Sequence, residues 1–162
     1  MKKIILAVIF FISAVNLSNA QTYNDFTLND LEGNEVKLSE LLKRGPVMIS
    51  FWATWCAPCK EEMQKMEVIY NKYKEQGFQY VAINQDSPKS LSKVKSFVAS
   101  RKLPFIVVLD PDKKVFEKYN GQGVPYSLII NSNKEIVAKH IGYVTGDEKK
   151  IEKEIKSILV DR

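Results

Sequence analysis

Two cysteines separated by two residues are the side chains of this sequence with the clearest capacity for chemistry. Cys56 and Cys59 lie in the segment Cys-Ala-Pro-Cys and are the only cysteines among the 162 residues. A pair at this spacing can cycle between a dithiol and a disulfide, with a thiolate as the attacking group. The spacing therefore predicts thiol–disulfide exchange.

The sequence around the pair predicts which elements hold it. Residues 47–52 form a nearly continuous apolar run, which is typical of a buried central strand. Apolar residues then recur every three or four positions until Gly77, which predicts an amphipathic helix that begins at the cysteines. These residues are Met63, Met66, Ile69, Tyr70 and Tyr73.

This placement predicts different roles for the two cysteines. Cys56 is expected at the helix N-terminus, where unpaired N–H groups and the helix dipole stabilise a thiolate. Cys59 is expected one turn further in, shielded by the helix, which suits a resolving thiol that attacks a mixed disulfide on Cys56. Pro58 fixes φ in the first turn, where its missing N–H has no partner to lose.

Three other interpretations of the pair are less consistent with the sequence. A zinc site needs two more ligands, and His140 is the single histidine of the chain, so we expect no metal. A structural disulfide that closes so short a loop stabilises a protein by only about 2 kcal/mol. Two inert thiols are unexpected in a compartment where disulfides form and persist.

The first 20 residues are typical of a secretory signal peptide. Lys2 and Lys3 precede an apolar run at 4–15, and Ser18 and Ala20 are small residues at the −3 and −1 positions of a cleavage site. The alternative is an uncleaved anchor, but a spanning helix needs about 20 apolar residues. We therefore predict a signal peptide at 1–20, one domain at 21–162, and an extracytoplasmic, periplasmic location after cleavage.

Composition limits the class of protein further. A content of 45% hydrophobic and 27% charged residues is that of a globular domain, which excludes collagen-like and disordered classes for most of the chain. The formal net charge of +5 is spread along the sequence, so a solvated surface is favoured over nucleic-acid binding. Two cysteines are too few for a disulfide framework.

The order of predicted elements is a β-hairpin followed by β-α-β-α-β-α-β-β-α. Alternating strands and helices give a parallel core, and the closing hairpin adds antiparallel strands, so a mixed sheet is expected. Residues 145–148, Thr-Gly-Asp-Glu, are interpreted as a capping box that opens the last helix with Thr145 at the cap. The predicted strands lie at 26–28, 36–38, 47–52, 78–83, 105–109, 126–130 and 135–141.

Segments 51–60 and 25–33 resemble thioredoxin-fold proteins of the TlpA/ResA-like branch, and the resemblance extends over about 25–159. It implies a thioredoxin-like α/β fold: a central mixed β-sheet flanked by helices, with an extra N-terminal β-hairpin and a helix inserted in the core. It also implies an extracytoplasmic thiol-disulfide oxidoreductase without a cofactor. Val124-Pro125 matches the family's cis-proline by position, facing the cysteines. Trp55, Pro58, Val124 and Pro125 are the supporting and partner-binding candidates.

The sequence departs from this family pattern at three positions. Ser50 stands where thioredoxin has a buried acid, and a serine cannot accept the proton of Cys59, so the base for the resolving thiol is unidentified. Gln64 replaces a proline that many relatives carry in the active-site helix, which gives this helix less reason to kink. Ala57 replaces a glutamate that helps to set specificity in some relatives.

Two classes of function remain after the sequence analysis. The first is a redox protein that reduces disulfides of client proteins, for example in cytochrome c maturation, and is re-reduced by a membrane or extracytoplasmic partner. The opposite direction, a disulfide-introducing oxidant or isomerase, is its variant. The second class is a peroxidase or a non-redox binding module on the same fold. Outside the motif, we interpret Trp52 as core, Lys60 as solvated and His140 as an ordinary strand residue.

Overall fold

The computed structural model describes residues 21–160, so the predicted signal peptide at 1–20 lies outside the described residues. The strands are β1 (Gln21–Thr22), β2 (Thr27–Asp30), β3 (Glu35–Lys37), β4 (Val47–Trp52), β5 (Gln79–Asn84), β6 (Ile106–Leu109), β7 (Tyr126–Ile130) and β8 (Glu135–Ile141). The α-helices are α1 (Leu38–Leu42), α2 (Ala57–Tyr73), α3 (Leu91–Arg101), α4 (Lys114–Lys118) and α5 (Asp147–Val160).

These strands form one mixed sheet in the order β1-β8-β7-β4-β5-β6-β2-β3. Strands β4, β5 and β6 are parallel, whereas β7 pairs antiparallel with both β4 and β8. The prediction of a parallel core closed by an antiparallel hairpin is confirmed. The central strand, β4, therefore has neighbours on both sides, which fixes the position of the cysteines that follow it.

The sheet is covered on both faces, because alternate side chains of β4 enter different apolar layers. Met48 and Trp52 belong to a layer with residues of α2, α3 and α5. Ile49 and Phe51 belong to the opposite layer, with residues of α1 and of the segment around α4. All six residues of β4 are buried, as the continuous apolar run predicts.

An additional hairpin, β2–β3, extends the sheet beyond β6. The Asp30 carboxylate stabilises its turn by accepting hydrogen bonds from the backbone N–H groups of Glu32 and Asn34 and from the Asn34 side chain. Strand β2 pairs antiparallel with β6, so the hairpin is part of the sheet. The short helix α4 lies between β6 and β7.

The start of the last helix differs from the capping-box prediction. Helix α5 begins at Asp147, two residues after Thr145. The Asp147 carboxylate accepts a hydrogen bond from the backbone N–H of Val144, and that of Glu148 accepts one from Gly146. The prediction that Thr145 caps the helix is wrong, because the helix begins at Asp147 and Gly146, not Thr145, is the residue directly before it. Among the helices of residues 21–160, none combines the length and apolarity needed to cross a membrane.

Candidate active site

Cys56 lies between the end of β4 and the first residue of α2, where it occupies the N-cap position of the helix. Its Sγ accepts a hydrogen bond from the backbone N–H of Cys59, with a sulfur–nitrogen distance of 3.2 Å. The two cysteines form a disulfide, and both are nearly excluded from solvent, with Cys56 4% and Cys59 1% exposed. The cysteine at the helix terminus is thus the one that the helix N–H groups face.

A tight turn carries the chain from β4 to Cys56. The backbone N–H of Cys56 donates to the carbonyl of Ala53 at 3.1 Å, which closes the turn. The buried Asp86 carboxylate holds it from the end of β5: Oδ2 accepts the Thr54 N–H at 2.7 Å and Oδ1 accepts the Thr54 hydroxyl at 2.8 Å. Asn84 donates its side-chain N–H to Asp86 Oδ2 at 2.8 Å. The position of Cys56 is therefore fixed by a neighbouring strand.

The four partner-binding candidates lie in different environments. Trp55 projects from the turn with 68% of its side chain exposed. Pro58 is exposed in the first turn of α2. Val124 packs against the apolar cluster that contains both cysteines, and the Val124–Pro125 peptide bond is cis. Pro125 accepts a hydrogen bond at its carbonyl from the Gly142 N–H at 2.8 Å, which ties this loop to the end of β8. Trp55 and Pro58 are therefore neighbours of the cysteines in the chain, and Val124 contacts the apolar cluster to which both cysteines belong.

The other residues singled out in the sequence lie in defined positions. Trp52 is fully buried, with its ring centroid 5.2 Å from that of Phe97. Lys60 extends its amino group over the face of the same Phe97 ring, 5.9 Å from the centroid. Gln64 is exposed on α2, which continues without interruption to Tyr73. Lys60 therefore contacts α3 instead of being merely solvated.

A buried glutamate that the sequence analysis missed lies close to the cysteines. Glu62 is 1% exposed, and it lies three residues after Cys59 on the same face of α2. Its carboxyl group accepts hydrogen bonds from the hydroxyl of Ser50, at 3.1 Å, and from that of Ser127. A charged residue within the buried stripe Cys59, Met63 and Met66 is the sequence pattern that could have identified it.

Burial changes the acid–base properties of this carboxyl group. Exclusion from water raises the pKa of Glu62 from 4.5 to about 7, although the hydrogen bonds from Ser50 and Ser127 act in the opposite direction. Asp147, at the start of α5, adds a smaller repulsion that also raises this pKa. The Glu62 carboxyl can therefore exist in both protonation states near neutral pH. Ser50, at the position of the thioredoxin acid, is a hydrogen-bond donor to this carboxyl group.

Within residues 21–160, no group of histidine, cysteine and acidic side chains is arranged to hold a metal ion. Both cysteines of the chain are joined to each other in the disulfide. The described residues contain three functional features. The Cys56–Cys59 pair can carry two electrons, Glu62 is a buried acid on the same helix, and Trp55 is an exposed aromatic residue next to Cys56. This arrangement can exchange electrons with another disulfide and can move one proton.

Comparison with known proteins gives a consistent result. Residues 20–139 match the AhpC/TSA family. The chain is 40% identical over 121 residues to the thiol-disulfide oxidoreductase ResA of Halalkalibacterium halodurans, covering 75% of this chain and 67% of that protein. It is 35% identical over 149 residues to the ResA protein of Geobacillus kaustophilus, covering 92% of this chain and 83% of that protein.

A solved structure agrees with these relatives. The fold superposes on a candidate thiol:disulfide interchange protein DsbE from Chlorobium tepidum with a TM-score of 0.79 and 33% sequence identity. The match covers 85% of this chain and 95% of that one, so it includes nearly all of the described sheet and helices. The chain therefore belongs to the AhpC/TSA family, and within it to the ResA-type thiol-disulfide oxidoreductases of thioredoxin-like fold.

Proposed function

We propose that this protein reduces disulfide bonds in client proteins outside the cytoplasm, with Cys56 as the nucleophile and Cys59 as the resolving thiol. The observation that carries the proposal is the geometry at the start of α2, where Cys56 Sγ caps the helix and accepts the Cys59 N–H. Helix N–H groups and the positive end of the dipole favour a thiolate at this position. Cys59 lies one turn inside the helix and is more deeply buried.

The reaction proceeds in two steps. The Cys56 thiolate attacks a client disulfide, so that a bond forms between Cys56 and one client sulfur while the other client sulfur leaves as a thiolate. Cys59 then loses its proton and attacks Cys56 Sγ, which releases the second client sulfur as a thiolate and forms the Cys56–Cys59 disulfide. The client gains the two electrons that the dithiol loses.

Glu62 is the proposed acceptor for the Cys59 proton. It lies one helical turn from Cys59 on the same buried face, and its pKa near neutrality suits a group that must both take up and release a proton. Ser50 occupies the position of the thioredoxin acid and hydrogen bonds to this carboxyl group. The buried acid is therefore supplied by helix α2 instead of strand β4, which explains why a serine can stand at position 50, where thioredoxin has an acid.

The client is proposed to bind across the exposed edge of the site. Trp55 supplies an exposed aromatic surface next to Cys56, Pro58 lies between the two cysteines in the chain, and Val124, which precedes Pro125, contacts the apolar cluster that contains them. An extended client segment that contacts this edge would present its disulfide to Cys56. The clients are therefore proteins with accessible disulfides, of which an apocytochrome awaiting haem attachment is one example.

The direction of electron flow follows from the residues between the cysteines. Ala57 and Pro58 have no side-chain donor that could hydrogen bond to a thiolate, so the helix terminus is the main stabiliser of the reduced form. Strongly oxidising proteins have potentials of about −120 mV because their reduced form is unusually stable, whereas thioredoxin lies near −270 mV. We expect a potential closer to that of thioredoxin, maintained by a membrane or extracytoplasmic reductant.

The location of the protein is part of the proposal. Residues 1–20 act as a signal peptide that is removed after Ala20, which leaves the domain 21–162 in an extracytoplasmic compartment, most simply the periplasm. Clients with disulfides occur in such compartments. The ResA-type relatives support a disulfide-directed activity for the domain itself.

Cysteine variants test the assignment of the two thiols. Cys56→Ser should abolish reduction of insulin disulfides, whereas Cys59→Ser should accumulate mixed disulfides between Cys56 and clients, which electrophoresis without reductant detects. In the reduced wild-type protein at neutral pH, iodoacetamide should label Cys56 faster than Cys59. Equal labelling of the two thiols, or mixed disulfides on Cys59 instead of Cys56, would overturn the assignment.

A further inference from the structure

Strand β6 has an open edge over its first half, because its neighbour β2 leaves it early. Strand β2 pairs only with Val108 and Leu109, the last two residues of β6. The chain then leaves the sheet through the connection 31–34, which leads to β3. On its other side β6 stays paired with β5 along its whole length. Among the described strands, Ile106 and Val107 therefore have a neighbour on one side only.

One of these two residues directs its backbone N–H and C=O groups to the open side. Successive residues of a strand point these groups in opposite directions, so Ile106 and Val107 cannot both turn them towards β5. The backbone hydrogen bonds that turns and loops of residues 21–160 form do not include either residue. An unpaired strand edge of this kind is a template for one further strand.

A groove with a volume of about 400 Å³ lies along this open edge. Ile106 and Val107 both line it, although Val107 packs in the apolar layer of α2 and Ile106 packs against the layer of α1. A groove that is lined from both faces of the sheet lies at the edge of the strand and not over one face. Its volume is within the range of ligand-binding sites, about 300–1,000 Å³.

The groove has an apolar floor and an acidic rim. Beside the two residues of β6, the apolar residues of the floor are Leu31, Val36, Val98 and Phe105. The rim is formed by the hairpin, which supplies three acids, Asp30, Glu32 and Glu35, together with Asn34. Hydrogen bonds from Asn34 hold the pKa of Asp30 below its usual value, so this carboxylate is charged at neutral pH. Of the described residues that line the groove, none is basic.

These charges select the kind of occupant. Two copies of this chain joined edge to edge would bring their acidic rims together, and like charges oppose such pairing. An anionic lipid surface is disfavoured for the same reason. An extended segment with alternating apolar and basic residues has the opposite property. Its apolar side chains can contact the floor, while its basic side chains can reach the exposed carboxylates of Glu32 and Glu35.

We propose that this groove binds an extended, basic segment of a partner protein, which adds one short strand to the open edge of β6. Main-chain hydrogen bonds to β6 supply affinity in such strand addition, and contacts of alternate side chains supply preference for a partner. None of the described residues that line the groove belongs to the redox site around Cys56, Cys59 and Glu62. The inference therefore stands independently of the proposed reaction.

Binding of synthetic peptides tests the proposal. The probe is a blocked, fluorescently labelled seven-residue peptide of alternating lysine and valine, titrated with the oxidised full-chain protein while anisotropy is recorded. It should bind, and its affinity should fall as salt is added, because the rim charges are exposed. A peptide with glutamate in place of lysine should bind at least about tenfold more weakly. Failure of the lysine peptide to bind, or equal binding of both peptides, would overturn the proposal.

Methylation of the peptide nitrogens separates strand addition from general attraction. One peptide is N-methylated at its valines and a second at its lysines, so each keeps every side chain and loses alternate N–H donors. In an added strand only one of these two sets of N–H groups faces β6. One methylated peptide should therefore bind about tenfold more tightly than the other, because only the other loses hydrogen bonds to the edge. Equal affinities of the two would rule out strand addition.

Variants of the protein locate the binding site. The double variant Glu32→Gln, Glu35→Gln removes two exposed rim charges and should weaken binding of the lysine peptide at low salt by about twofold to fivefold for each carboxylate. Glu117→Gln is the matched control, since Glu117 is exposed on α4 and does not line the groove, and it should leave the Kd unchanged. Unchanged binding by the double variant, or equal weakening by the control, would place the peptide elsewhere and overturn the proposal.

Two further measurements separate this inference from its alternatives. Sedimentation of the protein alone tests a second copy as the occupant, and a dimer that the lysine peptide dissociates would overturn the proposal. Insulin reduction should proceed at the wild-type rate in the double variant, because the groove lies outside the redox site. A wild-type protein that binds the peptide but does not reduce insulin would reject the proposed function and support the groove.

Discussion

Two buried acidic residues, Asp86 and Glu62, lie in the region of the redox-active segment, and their surroundings differ. Asp86, at the end of β5, accepts three hydrogen bonds, from the Thr54 N–H, the Thr54 hydroxyl and the Asn84 side chain. Glu62, in the first half of α2, has serine hydroxyls as its hydrogen-bond donors and lies among apolar side chains. Asp86 is 7% exposed and Glu62 is 1% exposed, so burial alone does not distinguish them.

The difference shows that the number and type of hydrogen-bond donors decide whether a buried acid has a structural role or exchanges a proton. Backbone N–H and amide donors favour the charged form of a carboxylate, and a carboxylate with several of them is a fixed structural anchor. Glu62 has too few donors to offset the loss of water, so its pKa rises to about 7. Asp86 therefore holds the turn that presents Cys56, whereas Glu62 is available to move a proton.

Among substitutions of these two acids, the largest expected effect is that of Glu62 on the rate of the resolving step. Glu62→Gln should lower the rate of disulfide resolution about 100-fold or more, because removal of a general base typically has this effect. Asp86→Asn keeps an oxygen that can accept from Thr54, and its resolving rate should fall far less. Stopped-flow fluorescence with oxidised glutathione measures both rates. Similar losses in the two variants would show that the carboxylates do not have separate roles.

The elements around the cysteines are predictable from local sequence alone. Strands β4, β7 and β8 have the predicted bounds, because apolar runs and turn residues define them within a few positions. The helix that starts at the pair is likewise specified by its apolar spacing. The disulfide between Cys56 and Cys59 follows from these neighbouring elements.

The acid–base part of the site is not predictable in this way. In the sequence, Glu62 is one of many charged residues of a helix. Its properties depend on Ser50 and Ser127, which lie on two different strands. His140 is likewise an ordinary strand residue in the sequence, and its contact with Glu154 depends on where the fold places α5. Such polar contacts depend on the topology of the sheet, and the pattern of residues along the sequence does not predict which strands become neighbours.

The next largest effects are on stability, where substitutions of the two acids should change the free energy of unfolding in opposite directions. Asp86→Ala leaves three buried donors of Thr54 and Asn84 without an acceptor, which should lower the free energy of unfolding by at least about 3 kcal/mol, at roughly 1–3 kcal/mol per donor. Glu62→Gln removes a group that resists ionisation in the folded state, so it should stabilise the protein at alkaline pH. Urea unfolding of the oxidised proteins at several pH values measures both effects.

The pH dependence of the Glu62 effect has a defined direction. Because its folded pKa of about 7 is above the unfolded value of 4.5, the folded protein holds a proton that the unfolded chain loses within this window. The wild-type stability due to this group is therefore full below pH 4.5 and is lost as the pH rises to about 7. The loss should amount to about 3 kcal/mol, at 1.36 kcal/mol per pKa unit. Glu62→Gln should unfold without this decline, and an unchanged decline would place the titration on another residue.

The smallest expected effect distinguishes the two serines that bind Glu62. Each hydroxyl stabilises the charged carboxylate, so Ser50→Ala and Ser127→Ala should each raise the pKa of Glu62 further, by about one unit or less for a hydrogen bond worth roughly 1 kcal/mol. The pH midpoint of the resolving rate measures this shift in each variant. A shift of the midpoint in both variants would show that both hydroxyls stabilise the Glu62 carboxylate, and a shift in one variant alone would identify the single donor. An unchanged midpoint in both variants would contradict the role of the serines.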